Sequence, residues 1–222
     1  MLNNQKLKEI EALLNKYKAL KTREEKGIYF VEGFLTFSRR HNEFSIKDTY
    51  YIQIEIPSRY PKKLPLTREI GGRILRIPDN HINEDGSFCL GTELDTKMKI
   101  AKINTLLGYV DELVIPFLYS FSYKEKFGEM PFGERSHGYL GVLEFYKDYF
   151  KTDSYLKALK LLALLAGNIY KGFHKCPCGS NKLLKNCHGK YINRLKSYKN
   201  KHNFKKDFDN CYEMIANYVK QS

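Results

Sequence analysis

Three cysteines and a histidine fall within thirteen residues, Cys176-Pro-Cys178-Gly-Ser-Asn-Lys-Leu-Leu-Lys-Asn-Cys187-His188. Spaced as C-x-C, eight residues, then C-H, these soft donors can close a tetrahedron around zinc. A disulfide scaffold does not account for them: the chain has five cysteines in 222 residues, and the other two, Cys89 and Cys211, stand alone. An odd count with one tight cluster fits a reducing compartment, where clustered thiols bind metal and a lone thiol can be catalytic. A knuckle of this size is too small to fold unaided, so the metal supplies its stability, of order 10 kcal/mol for structural zinc. With all four positions filled by protein, the expected zinc is structural, and its expected work is docking a partner. His174 reads as a bystander.

The remaining composition, 42% hydrophobic and 28% charged, is that of a chain able to bury one full core and append a small second unit. The longest apolar stretch, Leu161 to Gly167, falls far short of the roughly 18 residues a membrane span requires. The opening MLNNQKLKEIEALL is a helical pattern without an apolar signal region or a small-residue cleavage site, so the expected location is cytoplasmic, with no membrane partner. Of the net charge of +13, residues 171 to 222 carry +9, with 12 Lys and Arg against 3 Asp and Glu. A solvated tail is the favoured reading of that excess; an electrostatic footprint for nucleic acid or an acidic protein is the sharper, less favoured one.

Leu7, Ile10, Leu14 and Tyr17, with Leu13 and Leu20, recur at helical spacing and predict an amphipathic helix ending near Lys26-Gly27. Ile28 to Ser38 and Thr49 to Ile56 predict antiparallel strands around a turn at Arg39-Arg40-His41-Asn42. A short strand is expected around Arg73 to Ile77, then an irregular region through Gly91. Helices are expected over Ile103 to Tyr119, ended or bent by Pro116, over Leu140 to Phe150, and over Tyr155 to Tyr170. This order argues for an α+β domain with a segregated antiparallel sheet, bounded near Gly172 to Lys175. Cys211 lies on the apolar stripe of a terminal helix and reads as packing.

Long loops in a compact domain usually carry function, and this one holds Cys89 behind the turn Glu84-Asp85-Gly86-Ser87. A transferase that carries an acyl group as a thioester needs an exposed sulfur on a rigid loop, and thioester exchange is close enough to isoenergetic that modest activation suffices. When an amine attacks that thioester, a positioned amide can stabilise the oxyanion by roughly 3 kcal/mol; Asn83, six residues upstream, is the candidate. The alternatives are a buried Cys89 and an Asn83 and His81 that merely build the loop. In the glycine-rich segment from Gly128 to Gly141, His137 with Glu134 could orient or deprotonate the amine, or could simply form a helix cap.

The same residues resemble the ubiquitin-conjugating (E2) family. Its pattern of tyrosine-proline turn, histidine-proline-asparagine motif and glycine turn before Cys-Leu is met here by Tyr60-Pro61 with Pro65, His81-Ile82-Asn83, Gly86 and Cys89-Leu90. Ile82 stands in place of the motif proline, the loop to Cys89 is shorter, and tryptophan is absent. The resemblance is greatest to prokaryotic E2-like proteins, including those of bacterial antiphage operons that join a cyclic-nucleotide synthase to targets through its carboxy terminus. The cysteine-histidine cluster is similar to the SEC-C zinc motif of the bacterial preprotein translocase ATPase. These resemblances imply a UBC-like catalytic domain over residues 1–170, a zinc knuckle over 171–190 and a basic helical tail over 191–222. They imply catalytic roles for Cys89, Asn83 and His81, beside the role read for His137 in its own segment, and as partners a protein modifier or cyclic-nucleotide synthase terminus and a target protein. The rival reading is a non-catalytic E2-like scaffold that binds a protein or nucleic acid through the knuckle and tail.

Overall fold

Helix α1 (Asn4–Lys16) buries Ile10 and Leu13, then stops: the Tyr17 and Leu20 amides close a turn on the carbonyls of Leu13 and Tyr17. The leucine spacing predicted helix to Gly27, but Leu20 instead enters strand β1 (Leu20–Glu25) and is buried there. Lys26 at φ 50° and Gly27 at φ 77° are both left-handed, as a two-residue hairpin turn demands, so Gly27 joins two strands rather than ending a helix. The computed structural model describes residues 4–41, 43–61, 63–131, 136 and 138–221.

Strands β2 (Ile28–His41), β3 (Phe44–Ile56) and β4 (Leu66–Glu69) complete an antiparallel meander in the order β1-β2-β3-β4. Arg39, Arg40 and His41, expected in a turn, continue β2, and the hairpin closes at the pair His41 and Phe44. Alternation along β2 and β3 buries Val31, Leu35, Phe37, Ile52, Ile54 and Ile56 in one core with α1. The expected strand at Arg73 to Ile77 does not form; the last ladder is β4 on β3. The reason is the buried Glu69, whose carboxylate accepts the backbone amides of Gly71, Gly72, Arg73 and Ile74 at 2.7 to 3.2 Å, so those donors are withdrawn from any sheet.

An unforeseen helix, α2 (Glu93–Ile103), follows the long loop. Its charged, weakly striped sequence gives little periodic signal. Next, α3 (Leu106–Tyr109) runs through a π turn at Val110–Val114 into α4 (Ile115–Phe127). Pro116 was expected to end or bend this helix, yet it sits in the first turn of α4 just after the wider π turn. That position relieves the clash a proline ring makes with the preceding turn, and the helix continues to a left-handed Gly128.

The chain divides into two compact units, Met1–Gly91 with Thr96–Gly133, and Thr92–Asp95 with Glu134–Ser222. The second contains α5 (Gly138–Phe150), α6 (Tyr155–Gly167), α7 (Gly189–Lys196) and α8 (Lys201–Gln221). Helix α6 is capped by Ser154 and ends at Gly167, three residues short of the expected Tyr170, with a left-handed Asn168 closing it. Helix α8 packs on both α5 and α6, and those helices group with the knuckle and tail in the second unit. Cys211 is buried as packing, its thiol pushed up to about 12 chiefly by burial. Among the described residues no helix is long and apolar enough to cross a membrane.

Candidate functional site

In the first unit, the loop before Cys89 is a tight hairpin. Gly86 N–H donates to the Asn83 carbonyl and Asn83 N–H to the Ser87 carbonyl, both at 2.8 Å. Gly86 has φ 78°, a left-handed conformation that favours glycine; a Cβ there would come within 3.2 Å of the mobile end of the Arg76 side chain. Asp85 accepts both the Ser87 amide, at 3.0 Å, and the Ser87 hydroxyl, at 2.6 Å. Those bonds hold the Asp85 carboxyl below the usual carboxylate range.

The hairpin is fastened to the sheet. Phe88 N–H donates to the Thr67 carbonyl of β4 at 2.8 Å, and Arg68 bridges Glu55 of β3 at 3.0 Å and Asp85 of the hairpin at 3.5 Å. The Phe88 ring is buried and stacks on Phe117 of α4 with centroids 4.2 Å apart. The next residue is Cys89, half-buried, its amide donating to the His81 carbonyl at 2.8 Å. Cys89 therefore lies between an anchored aromatic ring and a backbone clamp, a thiol fixed on a rigid loop.

The Asn83 side-chain amide donates to the Ser87 hydroxyl at 3.0 Å and to the Phe88 carbonyl at 3.4 Å. It thus braces the peptide that leads into Cys89. His81 takes a left-handed φ of 53° and contributes its carbonyl to the Cys89 amide. His137 and Glu134 lie outside the described residues. Glu69 was not foreseen; a single acid with Gly71-Gly72 two residues on was its only trace in the sequence.

In the second unit, the ligating atoms of Cys176, Cys178, Cys187 and His188 all lie within 4.8 Å of one another, close enough to bind a metal ion. A short hairpin pairing Lys175 with Leu183 presents Cys176, and a turn through the left-handed Gly179 follows Cys178. A 3-10 turn at Leu184–Asn186 delivers Cys187. His188 Nε2 lies 2.9 Å from the Phe150 carbonyl, which fixes its proton on that nitrogen and leaves Nδ1 as a lone-pair donor. Nδ1 faces the sulfurs of Cys176 and Cys187, each at 3.2 Å, and Cys178 and Cys187 are 3.6 Å apart. Donors on a tetrahedral zinc are about 3.5–3.8 Å apart, so a slight expansion accommodates the ion. Burial pushes the Cys176 thiol up to about 12. Burial also opposes ionisation of Cys178, but hydrogen bonding from Ser180 and neighbouring thiols outweighs it and draws that group down to about 6. A bound dication would favour the thiolate at all three sulfurs. His174 is exposed and outside the cluster. No protein-family model matches the chain, and no curated protein matches it.

Proposed function

We propose that the chain is an E2-like acyl carrier: Cys89 takes the carboxy terminus of a protein modifier as a thioester and passes it to an amine on a target. The observation that carries this reading is a half-buried thiol at the end of a hairpin fastened to β4, in a unit built from a helix, a four-stranded meander and following helices. In the loading step the Cys89 thiolate attacks the carbonyl carbon of a modifier already held as a thioester on an activating enzyme, and that enzyme's thiolate leaves. In the transfer step the amine attacks the new thioester, loses its proton to solvent or a base, and expels the Cys89 thiolate. Asn83 is assigned to this second step. Its 3.4 Å bond to the Phe88 carbonyl is long, and exchange for a bond to the developing oxyanion replaces a weak contact with a charge-assisted one.

The Cys176, Cys178, Cys187 and His188 cluster is assigned to structural zinc, since three thiols and one imidazole leave no open position for substrate. A cyclic-nucleotide synthase terminus as modifier, in antiphage defence, is the specific form that the E2-like resemblance suggests. The test is a Cys89→Lys variant purified from its native host. A modifier joined to that lysine by a stable amide, identified by its branched peptide, supports the reading; the bare variant, recovered while the wild type carries an adduct elsewhere, opposes it.

A further inference from the structure

The charge excess after residue 170 is concentrated before the last helix. Helix α8 holds four lysines against three acids, and Lys205 is tied to Asp209 at 2.8 Å. Residues 171–200, by contrast, hold eight Lys or Arg and no Asp or Glu, and no acid at all occurs between Asp153 and Asp207. Of those eight, Lys199 is spent on a nearly buried pair with Asp207, at 2.6 Å, and Lys196 leans on Asn168. Lys171, Lys175, Lys182 and Lys185 all sit exposed on the two arms of the knuckle hairpin.

Around the single bridge of Lys175 with Leu183, Cys176 and Leu184 are buried, while Phe173, His174, Lys175, Lys182, Leu183 and Lys185 are exposed, Phe173 at 69%. The exposed Phe173 ring stands edge to face with the exposed His174 ring, centroids 4.8 Å apart. Exposed aromatic rings in a segment rich in exposed cations and free of acids are what a single-stranded polynucleotide engages: phosphates meet the lysines, and unpaired bases stack on the rings. An acidic protein face would use the cations and leave the rings idle. A duplex would offer phosphates but keep its base faces hidden.

We infer that the exposed surface of the Cys/His-knuckle hairpin binds single-stranded nucleic acid, with the adjoining Phe173 and His174 rings as the stacking platform and the exposed Lys171, Lys175, Lys182 and Lys185 as phosphate contacts. Binding shows no sequence preference, because the platform reads the faces of bases rather than their edges. This site is independent of the reading of Cys89, and its test contains no transfer step.

The test uses the 222-residue chain loaded with zinc and fluorescein-labelled 20-nucleotide oligo(U) and oligo(dT), followed by anisotropy from 50 to 200 mM salt. Phe173→Ala is expected to weaken binding about 5- to 100-fold, with the salt slope unchanged, as the loss of one stacked base predicts. The triple variant Lys175→Ala, Lys182→Ala, Lys185→Ala is expected to reduce the slope of log K against log salt by about 2, near 0.7 per released counterion. Zinc content equal to wild type shows that each variant keeps its fold; a variant that loses zinc is replaced by Phe173→Leu, expected to show the same weakening. Binding unaltered by both Phe173 substitutions overturns the inference. So does a 20-base-pair duplex that binds as tightly as the single strands, or poly-glutamate that binds with an affinity matching oligo(U).

Discussion

The two candidate centres of this chain are built by opposite strategies. The Cys176, Cys178, Cys187 and His188 cluster is assembled from one thirteen-residue stretch, and its donors converge because turns and a short hairpin fold that stretch back on itself. Cys89 is positioned from a distance: β4 supplies the Thr67 carbonyl and Arg68, α4 supplies Phe117, and the His81 carbonyl accepts the Cys89 amide. The first arrangement is held by local turns and, on the zinc reading, by an ion; the second is held by a core. Metal removal should therefore strike the second unit, and defects in the β4 loop should strike the first.

The largest expected effect is on the metal cluster. The purified chain should carry about one zinc ion by elemental analysis, and Cys176→Ser should abolish it, because structural zinc contributes of order 10 kcal/mol to so small a knuckle. Loss of order around Cys176 to His188 by hydrogen exchange, with the protection of β2 and β3 unchanged, is the expected pattern. Equal loss in the sheet would erase the contrast between the units.

Next in size is the catalytic contrast between Cys89 and Asn83. Asn83→Ala should still form the thioester but discharge it to amine roughly 100-fold more slowly, the size of one lost oxyanion donor. Single-turnover discharge separates the two steps. A variant that fails to load and melts several degrees lower would make Asn83 purely a brace for Ser87 and Phe88.

Glu69→Ala comes third. Four backbone amides lose a shared carboxylate acceptor, and the first unit should lose about 2–4 kcal/mol in denaturant melts, with m unchanged. The second unit should not respond.

How far each centre was legible in the sequence follows from the same contrast. The metal cluster could be read because its chemistry is local, and spacing alone implies convergence. Cys89 could be placed on a loop behind the turn at Gly86, but the sequence reading of it as exposed missed its partial burial and its bracing. Thr67, Arg68 and Phe117 are brought to it only by tertiary packing. Gly27 misled for a related reason: a glycine after a helical stripe suits a helix end and a hairpin equally, and the pairing of β1 with β2 decided it. Likewise α5 and α6 carry ordinary apolar stripes that do not say which core they join, and packing on α8 placed them with the knuckle.

The smallest expected effect is a pH dependence of the first unit. Burial alone would raise the carboxyl of Asp48, but the Arg73 guanidinium, at 2.8 Å on both oxygens, the Ser122 hydroxyl and the Thr49 amide together hold it low. Its folded value lies below the unfolded value of about 3.9, so its contribution is full above that pH and is lost as pH falls through the folded value. Thermal melts between pH 5 and pH 2 should show a decline that Asp48→Asn reduces.

The central claim is that Cys89 is the acyl carrier, and the most direct measurement is the intact mass of wild-type and Cys89→Ala chains incubated with ATP in extract of the native host. The account predicts a protein-sized adduct on the wild type that dithiothreitol removes, and none on Cys89→Ala. An identical thiol-sensitive adduct on Cys89→Ala would contradict it.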